Sequence, residues 1–277
     1  MRAKRMPLIH YANRQEKEIY MSKQVTGRKI IIFLAMKYQG NWNKIYEAIK
    51  QKELVSEEVV EETLSQLKSK VVTIIDENYP EMLKKSYKPP FVLFYYGNLN
   101  LLNDSKRLLS LLDVSTSDTM NEWAREMTQS ISLVSVFNEK KLIIDKHPIY
   151  VYNQGLDKVK ATNATLFKLI EKSGLIMSEY PEDTPLNDDN TPFMYRILAS
   201  IGNALLVNGL NEKSKETIAV GYTMYLGKNI YCANSSLQVN KFHQKLIDDG
   251  AIEVKTPQEL ISNILGTKSE RNVNLTA

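Results

Sequence analysis

VVTIIDENYPEMLKKSYKPPFVLFYYGN, residues 71–98, is the stretch from which the rest of the chain can be read. A β-branched run, Val71 to Ile75, leads through an acidic turn to Tyr79-Pro80. A short basic segment then reaches Pro89-Pro90, and a second strand-like run, Phe91 to Tyr96, stops at Gly97-Asn98. Proline fixes its own φ and pushes the preceding residue toward extended geometry, so the diproline enters the second strand stiffly. Gly-Asn ends that strand in a turn.

Outward from this stretch, composition sets the class. The chain has 277 residues, 43% hydrophobic and 25% charged, the proportions of a globular protein with a real core. No apolar run reaches the length of a membrane span, so no membrane association is expected. The basic N-terminus lacks the apolar stretch of a secretory signal. One cysteine, Cys232, permits no intramolecular disulfide and fits a reducing cytoplasm. The net charge of +4 permits nucleic-acid binding without requiring it. Residues 1–30 carry eight Lys/Arg against Glu16 and Glu18, so 1–25 reads as a basic leader, either a solvated, disordered arm or a phosphate-attracting one. Met21 offers an alternative start to Met1.

Residues 26–70 read as a small helical domain. Ile30, Ile31, Phe33, Leu34 and Tyr38 form one helix that Gly40 ends, Trp42 to Ile49 a second, and Ser56-Glu57-Glu58 caps a third. Beyond Asn103, short apolar runs alternate with amphipathic ones. Strands are expected at 107–112, 131–136, 148–152, 175–180, 204–207 and 229–233. Helices are expected at 118–128 (Ser117 a cap), 164–172, 196–201, 214–226, 241–249 and 257–265. The polar tail, 266–277, reads as disordered. The alternation specifies an α/β, Rossmann-like, doubly wound, mostly parallel sheet over residues 71–265.

The series Tyr79-Pro80, Leu83, Pro89-Pro90, Leu93-Phe94-Tyr95, Gly97-Asn98, Leu101-Leu102 resembles the entrance to the Rossmann-like domain of the DNA-processing protein A (DprA/Smf) family. Gly155-Leu156-Asp157, Ser178-Glu179-Tyr180, Pro192 with Arg196, Ser214, Gly227-Lys228 and Gly250-Ala251 continue the likeness over roughly residues 30–265. The resemblance implies a non-enzymatic protein that binds single-stranded DNA during natural transformation and delivers it to a RecA-type recombinase. It also implies a homodimer paired through the Rossmann-like domain, with no cofactor.

The departures fall on one physical role. An expected arginine is missing near Asp113-Val114-Ser115, Met194 and Tyr195 replace an Arg and an Asn, and Lys215-Glu216 replace the Gly-Ser of a phosphate-type loop. Glycines at strand ends admit phosphate to backbone N–H groups and arginines clamp it, so the anion pocket is expected to be weakened where the scaffold is kept. Arg196, Lys213, Lys215 and Tyr195 are the candidate DNA contacts, with Phe193 a further stacking ring. Arg196 could instead pair with Asp188 or Asp189. Gly155, Asp157, Ser178, Glu179 and Ser214 are pocket candidates, each with a purely structural reading beside the functional one. His10, His147 and His243 show no metal spacing, and no nucleophile–base set, Walker loop or GxGxxG is present, so no catalytic residue or metal site is assigned. Two alternatives stay open: a degenerate paralogue that acts only through protein contacts, and a phosphoribohydrolase-like enzyme using Glu179.

Overall fold

The computed structural model describes residues 26–114, 118–138, 146–234 and 241–266. The leader expected over 1–25, the cap expected at Ser117 and the tail beyond Gly266 lie outside them. Three helices come first: α1 (Gly27–Lys37), α2 (Trp42–Lys50) and α3 (Glu57–Ser65). Each starts on a side-chain cap, from Thr26, Asn41 and Ser56 respectively, that satisfies an otherwise orphaned amide.

The sheet follows, with β1 (Lys70–Thr73), β2 (Val92–Gly97), β3 (Leu108–Asp113), β4 (Ser132–Val136), β5 (Ile149–Tyr152), β6 (Leu175–Ser178), β7 (Ala204–Asn208), β8 (Ile230–Ala233) and β9 (Ile252–Val254). Their order is β1-β2-β6-β5-β4-β3-β7-β8-β9. All pairings from β6 to β9 are parallel, while β1 and β2 add antiparallel to the β6 edge. The doubly wound, mostly parallel expectation holds. Chain order reverses between β3 and β7, which makes the carboxyl ends of those strands the switch point of the fold.

The helices of this region are α4 (Glu81–Lys84), α5 (Thr119–Met127), α6 (Asp157–Thr162), α7 (Ala164–Ser173), α8 (Thr191–Ile201), α9 (Thr217–Tyr225), α10 (Lys241–Asp248) and α11 (Pro257–Leu265). Side-chain alternation along each strand divides the core between the two faces of the sheet. Leu108 and Leu112 of β3 join Val134, Leu198, Leu205 and Cys232 on the face covered by α8 to α10. Leu109 and Leu111 join Trp123, Leu133, Tyr231 and Leu260 on the face covered by α5 and α11. The leading helices bury Ile32, Leu34, Ile45 and Val60 against Val92 and Phe94 of β2, so they share a core with the sheet edge.

Several boundaries differ from the sequence reading, each for a local reason. The first strand stops at Thr73, because Asp76 folds back to accept the Thr73 amide at 3.0 Å, leaving Ile74 and Ile75 in a turn. The helix expected from Arg196 begins five residues earlier, at Thr191, with Pro192 in its first turn where a missing N–H costs nothing. The helix expected from Ser214 begins at Thr217, since Ser214 Oγ is occupied with the Asn211 amide in a preceding turn.

The Tyr-Pro and Pro-Pro punctuation of residues 71–98 has a direct explanation. The buried Tyr79 hydroxyl donates to the Pro90 carbonyl at 2.8 Å, pinning the two turns together. Gly97 has a φ of +95°, and a Cβ there would collide with the Gly174 carbonyl oxygen, so the end of β2 requires glycine.

Candidate nucleic-acid interface

The carboxyl ends of the parallel strands form one rim. At the switch point, β3 and β7 end in Asp113 and Asn208, and Asn208 Nδ2 donates to Asp113 Oδ1 at 2.9 Å. A carboxylate therefore stands where a phosphate-binding crevice would need donors. Beside it lies a cleft of about 600 Å³ whose walls include Phe137, Tyr152, Asn153, Lys158, Asp188 and Glu216. Glu216 accepts a hydrogen bond from the Tyr195 hydroxyl, and burial, with Glu216 adding to it, pushes the Tyr195 phenol well above its ordinary value.

Tyr195 is 5% exposed, so its ring packs into the core and is not the open stacking platform expected of it. The correction for Arg196 is larger. Its side chain is fully buried, and its guanidinium bonds to the Glu179 carboxylate and to the Tyr87 carbonyl at 3.2 Å. The phosphate contact and the pairing with Asp188 or Asp189 both give way to a sealed ion pair between α8 and the end of β6. Burial pushes the Glu179 carboxyl up, against the opposing pull of Arg196. Glu179 is thus closed to solvent and is not presented to a substrate as a base.

The remaining pocket candidates hold the scaffold. Ser178 Oγ donates to the Gln154 carbonyl at 2.8 Å and accepts the Tyr180 amide at 3.1 Å. Gly155 lies where any Cβ would strike the Glu182 carbonyl, and its amide bonds the Thr184 carbonyl at 2.8 Å. Asp157 takes the Lys68 ammonium at 2.6 Å, which ties the start of α6 to the segment after α3.

The loop after β7 is different. Lys213, Ser214 and Lys215 follow one another there, with Lys213 and Lys215 exposed. Asn211 braces the loop, its side chain accepting the Lys213 amide at 3.0 Å while its amide reaches Ser214 Oγ at 3.1 Å. Lys215 reaches Asp188 at 2.9 Å across open solvent. Lys213 opens onto a small groove of about 250 Å³ shared with Lys241 and Phe242. Neither Lys241 nor Phe242 was singled out in the sequence, where nothing links them to a loop that precedes another helix and strand. Lys213 and Lys215 on the braced loop, with Lys241 and Phe242 at the start of α10 and the Glu212 carboxylate drawn toward Lys245 at 3.5 Å, can hold a phosphate and stack a base. Among the described residues, no three His, Cys, Asp or Glu side chains converge as metal ligands.

Residues 70–132 and 138–265 match the family model of DNA recombination-mediator protein A. The chain belongs to that family. Among members, it is 27% identical over 208 residues to protein Smf of Synechocystis sp., covering 68% of this chain and 52% of Smf. It is 21% identical over 221 residues to DNA processing protein DprA of Bacillus subtilis, covering 74% of this chain and 73% of that protein. The chain thus spans about half the length of the Synechocystis relative. The fold is similar to that of Streptococcus pneumoniae DprA, with a TM-score of 0.61 at 22% identity over 89% of this chain and 96% of that one. It is also similar to Helicobacter pylori DprA, a protein with a described single-stranded DNA binding mode, with a TM-score of 0.59 at 20% identity over 73% of this chain and 98% of that one. Family membership bears out the resemblance read from Tyr79-Pro80 onward. Among the described residues, no helix is long and apolar enough to cross a membrane.

Proposed function

We propose that this chain is a cytoplasmic DprA-type recombination mediator that binds single-stranded DNA without processing it enzymatically. In this reading it delivers the strand to a RecA-type recombinase during DNA uptake, as a homodimer. Membership of the recombination-mediator family carries the proposal. The braced loop with Lys213 and Lys215, beside Lys241 and Phe242, supports it locally. Binding of this kind follows phosphates rather than sequence, and weakens steeply as salt displaces the protein from the strand.

The test is fluorescence anisotropy of a labelled oligothymidylate titrated with the protein over a series of salt concentrations. Salt-sensitive binding is expected, with affinity and salt slope both reduced in Lys213→Ala. No binding at low salt sinks the proposal. A second reading, a family member that acts only through protein contacts, draws on the Glu216 carboxylate in the cleft and the sealing of Arg196 by Glu179. It predicts co-purification with a recombination protein in the absence of any DNA affinity.

A further inference from the structure

The segment just before β2 carries an arrangement that the loop after β7 does not use. The Lys88 ammonium stands 5.1 Å from the centre of the Trp42 ring and 5.5 Å from that of Tyr87. On α2, Trp42 stacks with Tyr46 at 5.1 Å and 11°. The result is a row in which ring, cation, ring and ring follow one another: Tyr87, Lys88, Trp42, Tyr46.

Part of this row has a structural purpose. Trp42 Nε1 donates to the Pro89 carbonyl at 2.8 Å, and Trp42 also stacks on Phe91 at 5.1 Å, which fastens the leading helices to the diproline turn. Fastening does not account for the two ends. Tyr46 is 44% exposed and Tyr87 50% exposed, so each leaves part of its ring open to solvent beyond what the fastening uses. Nor does it account for Lys88, which holds a left-handed φ of +51° directly before a proline, a backbone a lysine adopts only at an energetic cost. That backbone aims the ammonium between two rings, with Asn43 Oδ1 receiving it at 2.7 Å.

The charge around the row is suited to a polyanion. Glu47 lies near Lys50, at 3.9 Å, and Glu81 is bonded to Lys84 at 2.5 Å. Among the described residues Lys85 makes no ion pair and remains exposed beside Tyr87. The position is equally telling. β2 runs antiparallel to β6 with Phe94 opposite Ser178, so the chain before β2 emerges at the rim where β6 ends. Arg196 holds the Tyr87 carbonyl at 3.2 Å, and Arg196 belongs to α8, whose Met194 and Tyr195 line the cleft on that same rim.

We infer that Tyr87, Lys88, Trp42 and Tyr46 form a second contact for single-stranded nucleic acid, in which bases stack on the outer faces of Tyr46 and Tyr87 and Lys88 takes the phosphate between them. The inference rests on the reading of the chain as a single-stranded DNA binder and adds where the strand leaves the cleft. An aromatic face accepts any base, so the contact is sequence-tolerant.

The test compares oligothymidylate with an abasic oligodeoxyribose phosphate of the same length, on the intact chain and on Tyr46→Ala, Tyr87→Ala and Lys88→Ala. Both tyrosines are exposed, so their removal leaves the fold in place. Phe variants at the same positions keep the ring and serve as the rescue. Each Tyr→Ala is expected to weaken oligothymidylate binding by about tenfold, with the Phe variants near the parent and the abasic strand bound weakly by all. With Trp123 changed to Phe, Trp42 is the sole tryptophan, and its emission should change on adding oligothymidylate. Unchanged affinity in both Tyr→Ala variants, alongside normal binding by the parent, overturns the inference and leaves the DNA-binding reading standing. Equal binding of the abasic strand overturns it too, because charge alone would then explain the contact. Absence of binding by the parent removes both readings together.

Discussion

Two ion pairs on the same rim use similar groups and do opposite things. Arg196 and Glu179 have side chains 0% and 3% exposed, whereas those of Lys215 and Asp188 are 65% and 81% exposed. In the first, each charge has left water and depends on its partner. In the second, each remains hydrated and the contact is optional. A basic residue at the mouth of a Rossmann-like crevice therefore says little about DNA until its burial is known. Arg196 is part of the scaffold, whereas Lys215, on the loop after β7, keeps its charge in solvent.

The buried pair carries the largest expected effect. Arg196→Ala strands the Glu179 carboxylate inside the protein and should lower unfolding free energy by about 3–5 kcal/mol in denaturant titration. The pair Arg196→Met with Glu179→Leu should recover most of that loss. A cost for Arg196→Ala below about 1 kcal/mol would mean that the buried pair is not a structural node.

An intermediate case sharpens the scale. Asp76 accepts two contacts from Arg28 Nε, at 2.9 and 3.0 Å, and the Thr73 amide at 3.0 Å, joining α1 to the turn after β1. Burial pushes its carboxyl up, but the Thr73 amide and the Arg28 guanidinium outweigh burial and hold it below the usual carboxylate range. A depressed folded value means that this stability is present above the ordinary aspartate pKa of about 3.9 and is lost as pH falls through the folded value. Asp76→Asn should cost about 1 kcal/mol at neutral pH, after allowing for screening of the half-exposed Arg28, and should flatten the acid limb of stability against pH. An unchanged acid limb would show that the clamp contributes nothing.

The smallest effect on stability belongs to Lys215. Lys215→Ala should change unfolding free energy by less than about 0.5 kcal/mol, while lowering the slope of log affinity against log salt by about one. Appreciable destabilisation would put Lys215 in the same class as Arg196 and erase the contrast.

The scaffold was legible because its signals are local. Pro89-Pro90, Gly97 and the apolar run Leu108–Leu112 each act within a few residues and locate the first strands, and the alternation of such runs with amphipathic ones gives the mostly parallel sheet. What was missed is short or ambiguous. β9 is three residues long, and α6 is less than two turns. Pro192 looks like loop punctuation and is in fact the first turn of α8. The site was far less legible. Arginine serves phosphate and carboxylate equally well, so nothing local distinguishes the DNA contact expected of Arg196 from its pairing with Glu179. Tyr195, one residue earlier, faces Glu216 for a reason equally invisible in sequence: both lie on elements that meet only once the sheet is wound.

Cys232 sits at the centre of β8 with no exposed surface, and burial, followed by the nearby Glu253 charge, pushes its thiol up to about 12. At neutral pH it is therefore a protonated, shielded sulfur that a maleimide reagent does not reach. The parent chain is its own cysteine-silent background. A single introduced cysteine, at the exposed Asp189 or Lys44 for example, would carry one dye or one crosslinker without any native cysteine first being removed, and the path of a DNA strand along the rim could be mapped one attachment point at a time.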